Sequence, residues 1–397
     1  MRRVSLSDSV SVRAPYPERK EGQVKLEERP GRAWLEISLE NLRWNYRMLC
    51  GVMPEGCKCM AVVKADAYGH GAVQTAQVLS GEGCDTFAVA SLEEGIALRV
   101  AGLQKDILVL GYTMPRDAFL LDRYQLIQTV VDEAHAKALA ETGHDIACHL
   151  AVDTGMNRLG ISFRDRAAIE RVLGMQGIRM KGIYSHLSVA DSTLAEDERF
   201  TQKQIADFYA LKAYLEGKGW RNLSYHMQSS YGLLCYPMEG MQYARPGIAL
   251  YGCTSNTPDE KFCVELKPAL QLKCRIGCIR TVEQGDFVSY GRTWEAKERR
   301  RVAVMAIGYA DGLPRSLSGQ GQALVLGKKV PMVGRICMDQ TMLDITEVPE
   351  AVEGDIVTLI GTDGGEEIKA VELAQRAGTI TNELLSRLGS RLTKTFW

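Results

Sequence analysis

A parallel (β/α)8 barrel followed by a smaller strand-rich domain is the fold this sequence predicts, on three observations. Strand-like and helix-like segments alternate regularly from about residue 33 to residue 227. Beyond about Lys267 the pattern changes to short β-type runs separated by Gly, Asp and Pro. The alternative, a doubly wound dinucleotide-binding sheet, wants a G-x-G-x-x-G after its first strand, and none follows. With 397 residues the chain is long enough for two domains with their own cores. The expected division is a disordered or processed extension over 1–31, a barrel over 32–267 and a β domain over 268–397.

Residues 1–31 are polar, charged and proline-containing, with no hydrophobic period. Acidic Glu18, Glu21, Glu27 and Glu28 count against a transit peptide. Ala33-Trp34-Leu35-Glu36-Ile37 alternates like a strand, and Ser38 caps the helix after it. Ala61, Val62 and Val63 read as a buried strand, with a helix expected over 72–79. Further strands are expected over 86–90, 107–110, 127–131, 147–152, 180–185 and 223–227. Helices are expected over 92–101, 133–142, 164–173 and, longest, 195–218. In the second domain, strands are expected over 271–279, 289–290, 301–307, 323–326, 330–333, 342–345 and 356–360. Gly327-Lys328 marks a tight hairpin, and a helix over 369–377 stops at Gly378.

Composition narrows the function classes. The 48 basic and 49 acidic residues nearly cancel, so the chain lacks the charge a nucleic-acid partner selects. No apolar run is long enough to span a bilayer, and no secretory signal opens the chain, so no membrane partner is expected. Eleven cysteines are scattered, and neither Cys57/Cys59 nor Cys274/Cys278 has strong metal spacing. They are expected to pack as small apolar groups in a reducing cytoplasm, with no metal site.

Barrel enzymes place their chemistry at strand C-termini. Lys64 directly follows Val63 there. Burial disfavours an ammonium, lowers its pKa and frees the amine as a nucleophile, as a Schiff-base lysine requires. On local context alone a strand-end lysine equally well snorkels into solvent. Arg158, in the loop Asp153-Thr154-Gly155-Met156-Asn157-Arg158-Leu159-Gly160, suits a carboxylate or a phosphate. His186 ends another strand segment, where a lone histidine is more often structural. The hydroxyl of Ser230 and nearby N–H groups suit phosphate oxygens, and Arg245-Pro246-Gly247-Ile248 lies where late barrel loops bind phosphate.

Val62-Val63-Lys64-Ala65-Asp66-Ala67-Tyr68-Gly69-His70-Gly71 resembles the pyridoxal-phosphate (PLP) attachment motif of the alanine racemase family, and the likeness extends over about 32–397. The resemblance implies a PLP-dependent amino-acid racemase, with Lys64 attached to PLP and Tyr68 near its phosphate. It places Arg158 on the substrate side, His186 beside the pyridine ring, Arg245 on the pyridine nitrogen, and Ser230 with the Gly247 and Ile248 amides on the phosphate. Arginine keeps its proton, which leaves the pyridine nitrogen unprotonated and suits a plain proton swap at Cα. Val288-Ser289-Tyr290-Gly291 resembles the segment carrying the opposing base, Tyr290. A free phenol with pKa of about 10 needs nearby cations to act as one. Tyr309 resembles the access-channel tyrosine, and Met338 and Asp339 the family pair that approaches substrate. In the family these second-domain residues reach the partner chain's site, which implies a head-to-tail homodimer. The product would be D-alanine for peptidoglycan.

The resemblance departs at two positions. Many members carry a carbamylated lysine seven residues before the loop arginine, where this chain has Ala151. Most carry tyrosine where this chain has Asn382, as in the serine/alanine racemases of vancomycin resistance. Asparagine is smaller and hydrogen-bonds a serine hydroxyl, so serine is the alternative substrate. Two rival activities share the barrel: a PLP decarboxylase and a non-catalytic PLP homeostasis protein. Arg245 counts against the decarboxylase, and the second domain against the homeostasis protein.

Overall fold

The computed structural model describes residues 30–256 and 264–397. Most of the expected N-terminal extension, residues 1–29, lies outside the described residues.

The chain enters through the second domain. β1 (Ala33–Ile37) is followed by α1 (Leu39–Gly51), capped by Ser38, whose hydroxyl accepts from the Asn41 amide. The eight barrel strands then follow as β2 (Lys58–Val62), β3 (Thr86–Val89), β4 (Asp106–Val109), β5 (Ile127–Val130), β6 (Ile146–Asp153), β7 (Ile178–Tyr184), β8 (Ser224–His226) and β9 (Tyr243–Ala244). All are parallel, in the order β5-β4-β3-β2-β9-β8-β7-β6, and β5 pairs with β6 to close the ring. Helices α2 (Ala72–Gly81), α3 (Leu92–Val100), α4 (Ala118–Arg123), α5 (Glu133–Ala140), α6 (Arg166–Leu173) and α7 (Ala195–Gly217) connect them. Ser91, Asp132 and Asp165 cap α3, α5 and α6 through their side chains. The core lies mainly between strands and helices, with a small inner cluster including Met60, Val62, Ala88 and Leu108.

The second domain contains β10 (Leu270–Val282), β11 (Arg300–Met305), β12 (Gln322–Val325), β13 (Lys328–Val333), β14 (Thr341–Asp344), β15 (Ile356–Asp363) and β16 (Glu366–Ile368). Helices α8 (Ala370–Arg376) and α9 (Thr381–Ser386) precede the last strand, β17 (Thr393–Phe396). The sheet order is β16-β15-β12-β13-β14-β11-β10-β1-β17, and a β15–β10 pairing closes its middle.

Several sequence expectations change. β1 pairs antiparallel with β10 and parallel with β17, so it is a strand of the second sheet and not of the barrel. Alternation identifies a strand but not its partner. The eighth barrel strand is only Tyr243–Ala244, too short to leave a pattern. The expected strand at 289–290 is absent. Phe287–Val288 pairs with Trp294–Glu295, and Tyr290–Arg292 is a 3-10 turn. Ser289 at φ 68°, Gly291 at 73° and Arg292 at 50° turn the backbone left-handed and end the pairing. The hairpin connector is Leu326-Gly327, both at positive φ, because Val325 pairs with Lys328. Helix α9, a six-residue element, was not expected.

Candidate active site

Lys64 opens a tight turn after β2. Ala65, Asp66, Ala67 and Tyr68 all have φ between 52° and 55°. A left-handed backbone costs about 1–2 kcal/mol per L-residue, so this turn must be held from outside. Glu94 holds it from α3: one carboxylate oxygen accepts from Ala65 N and the other from Ala90 N, both at 2.7 Å. Asp66 accepts from Ala72 N at 2.7 Å and pairs with Lys394 of β17. His70 Nδ1 lies 3.0 Å from the carbonyls of Ala67 and Tyr68; both partners are acceptors, so Nδ1 carries the proton. The His70 ring stacks on Tyr251, whose hydroxyl donates to Val62 O at 2.8 Å. The clamp therefore reaches from the turn back to the strand that carries Lys64.

Burial, then the charges of Arg158 and Arg245, push the Lys64 pKa down, against an opposing pull from Glu94. Lys64 and Arg245 share one cavity of about 420 Å³ at the C-terminal rim of the barrel. Arg245 is buried. It donates to His226 Nδ1 at 2.6 Å, Ser185 O at 2.7 Å, Met227 O at 3.2 Å and His186 Nδ1 at 3.3 Å. Burial lowers its pKa to about 10, which leaves it cationic at neutral pH. His186 lines the cavity, and its pKa falls to about 3 through burial and the charges of Arg245, Arg158 and Lys64. It is a neutral ring.

Ser230, Gly247 and Tyr68 form a second cluster. Ser230 Oγ accepts from Gly247 N at 2.9 Å and from Ala249 N at 3.2 Å, so its own proton remains to be donated. The Gly247 amide, expected on a phosphate, is engaged by Ser230. A Cβ at Gly247 would lie 2.6 Å from the Tyr68 hydroxyl, so only glycine admits that ring. Two hydroxyls converge beside Ile248 in the cavity. This donor set fits a phosphate monoester, and with Lys64 and Arg245 in the same cavity the residues fit PLP.

Arg158 lines the mouth of the cavity, and Ala151 lies on its wall, paired with Tyr184 across β6 and β7. Among the described residues no carboxylate or carbonyl accepts a hydrogen bond from Arg158. Asn382, at the start of α9, also lines the cavity, and its side-chain oxygen is buried with no hydrogen-bond partner among the described residues. Helix α9 reaches this site because Thr381 N donates to Ser255 O and because Gly69 allows close contact. A Cβ at Gly69 would lie 2.4 Å from Leu385 O.

Tyr290, Tyr309, Met338 and Asp339 do not line this cavity. They lie together on the second domain. Ser289 Oγ donates to Arg335 O at 2.5 Å, Tyr309 N to Cys337 O at 3.0 Å, and Ala310 N to Met338 O at 3.0 Å. Tyr290, Tyr309 and Met338 are exposed, and Asp339 is paired with Arg391 at 2.6 Å. Sequence reasoning missed Glu94, His226 and His149. Glu94 reads as an ordinary first-turn acid. His226 was visible at the end of an expected strand, two residues before Gln228.

A family model described as alanine racemase, N-terminal domain, matches residues 37–255, and one described as alanine racemase, C-terminal domain, matches 269–396. An amino-acid racemase of Enterococcus faecalis and a serine/alanine racemase of Enterococcus gallinarum are 41% and 42% identical over 363 and 368 residues. Each alignment covers 91% of this chain and 51% of the relative, so the chain spans about half their length. An alanine racemase of Halothermothrix orenii is 37% identical over 371 residues, covering 91% of this chain and 96% of that one. Among solved structures, an alanine racemase of Clostridium difficile 630 superposes with TM-score 0.85 at 32% identity, covering 93% of this chain and 97% of that one. An alanine racemase of Bartonella henselae with covalently bound pyridoxal phosphate gives TM-score 0.81 at 27% identity, covering 93% of this chain and all of the other.

Proposed function

The chain belongs to the alanine racemase family, and on that premise we propose that it interconverts L- and D-alanine with PLP. One observation carries the reading: Lys64, Arg245 and the Tyr68–Ser230–Gly247 cluster meet in one cavity. PLP, when bound, supplies the electron-withdrawing ring that lets an amino acid's Cα–H ionise. Lys64 Nζ would hold it covalently, and the Lys64 amine, when free, would stand at one face of Cα. The lowered pKa of Lys64 keeps it ready to take that proton and to return it. Arg245 can only donate, so a pyridine nitrogen against it keeps its lone pair. Arg158 meets the substrate carboxylate.

The opposite face needs a second base. The partner's Tyr290 supplies it, with the partner's Tyr309, Met338 and Asp339 closing the site. Their exposure, their grouping on the second domain and their distance from their own cavity support a head-to-tail homodimer. The product is D-alanine for peptidoglycan, made in the cytoplasm. No helix among the described residues is long and apolar enough to cross a membrane.

The test is to load the purified chain with PLP, add L-alanine and follow D-alanine by chiral chromatography. D-alanine formation supports racemisation. Carbon dioxide without D-alanine would identify a decarboxylase, and bound PLP without turnover a carrier. Serine is a second reading, favoured by the unpartnered Asn382 oxygen at the cavity wall, which accepts from a substrate hydroxyl. Comparing kcat/KM for L-serine and L-alanine decides between them.

A further inference from the structure

Behind Arg245 lies a histidine pair that the chemistry above does not use. We propose that His149 is a positioning residue for Arg245, acting through His226. The proposal rests on the reading that Arg245 meets the cofactor ring.

The direction of each hydrogen bond follows from the donors. A guanidinium only donates, so His226 Nδ1, 2.6 Å from Arg245 Nη1, must present a lone pair. A neutral His226 then carries its proton on Nε2. That proton points at His149 Nδ1, 2.8 Å away, which must accept it. The array runs one way, Arg245 to His226 to His149, and it needs both rings neutral. Both are: burial, then the Arg245 charge, holds His226 far below the usual imidazole range, and burial, then Lys181 and Arg245, brings His149 to about 3.

The surroundings fix the rings. His226 stacks on Tyr184 at 5.0 Å and 11° and meets Tyr243 edge-on at 6.0 Å. His149 lies on β6 against Gly182 of β7. A Cβ at 182 would fall 2.7 Å from the His149 ring, so the ring is admitted only because that residue is glycine. Arg245 Nη2 has two carbonyl acceptors and His186, whereas the Nη1 bond goes to His226. Without an acceptor at 149, His226 is free to move its proton to Nδ1. It would then point a hydrogen at the guanidinium and release one side of it.

The test joins ring-nitrogen NMR of the 15N-histidine-labelled holoenzyme with two variants, His149→Leu and His149→Asn. Asparagine puts a carbonyl oxygen where Nδ1 stands. In wild type, His226 and His149 should both be Nε2–H tautomers. His149→Leu should change the His226 tautomer, shift the visible absorbance of bound PLP, weaken PLP binding about tenfold to a hundredfold, and lower kcat more than it raises KM. His149→Asn should stay within about threefold of wild type, since it restores the acceptor. Equal impairment of the two variants, or an unchanged tautomer and absorbance in His149→Leu, would overturn the proposal. If His149→Leu fails to fold, an Nδ1–H proton on either wild-type ring overturns it on its own. Wild-type protein that takes up no PLP would instead sink the functional reading, while the wild-type tautomers still decide the array.

Discussion

In the barrel, Arg245 is 4% exposed and bonded on both sides of its guanidinium, whereas in the second domain Tyr290 is 69% and Met338 53% exposed. The barrel region is complete within one chain. Its strained Lys64 turn is clamped by Glu94, Asp66 and His70, and Ser230 has already gathered the Gly247 and Ala249 amides. The second-domain region points outward, with side chains grouped but uncovered. On the proposed function, this chain preorganises one half of a site and displays the other. Preorganised donors are most effective where water is excluded, and the exposed half gains that setting only when another surface covers it.

Four perturbations would break or sharpen this contrast. Lys64→Ala should have the largest effect. On the proposed roles it removes the attachment point and one base, so racemisation should fall at least about ten-thousandfold, and mass spectrometry after borohydride reduction should find no cofactor on the chain. Tyr290→Phe comes next. It should slow both directions about a hundredfold to ten-thousandfold and leave PLP affinity as in wild type, because Tyr290 lies outside its own cavity. Lost PLP binding in that variant would contradict the division of labour.

Acid should separate the regions by stability. All six histidines precede residue 227, so the second domain has none. His70 is lowered to about 4, and His149 and His186 to about 3, from an ordinary 6.5, chiefly by burial. As pH falls below 6.5 the unfolded chain takes up these protons before the folded one does. The stability they confer is therefore full above 6.5 and is lost progressively towards pH 3. Thermal unfolding followed against pH should show Tm falling through that window, and a flat profile would refute the burial of these rings. The smallest effect is expected from Asn382→Tyr. It replaces the amide whose oxygen has no partner among the described residues and should lower the serine-to-alanine ratio of kcat/KM by about a hundredfold or less.

Part of the barrel half was legible in the residues themselves, because Lys64, Arg158, His186, Ser230 and Arg245 follow apolar runs or stand in Gly-punctuated loops, whereas Tyr68 and Asn382 came from the family resemblance. Lys64, Tyr68, Arg158, His186, Ser230, Arg245, Gly247, Ile248 and Asn382 all line the cavity. What could not be read depends on partners distant in sequence. His149 and His226 are 77 residues apart and meet only because their strands flank β7. Glu94 matters through two amides, Ala90 N just before its own helix and Ala65 N, whose direction is set by a left-handed turn that no local propensity announces. The strand character of β1 was plain, but its place beside β10 and β17 follows from where the chain end returns.

The most direct measurement mixes two inactive variants. Lys64→Ala has an intact second-domain face, and Tyr290→Ala an intact barrel cavity. If a site is shared between two copies, random exchange of subunits makes half the dimers mixed, each with one whole site, and activity should recover to about a quarter of wild type. Recovery of that size is the predicted result. No recovery, with both variants folded and mixed dimers detected by native mass spectrometry, would contradict the claim that Lys64 and Tyr290 act together across two chains.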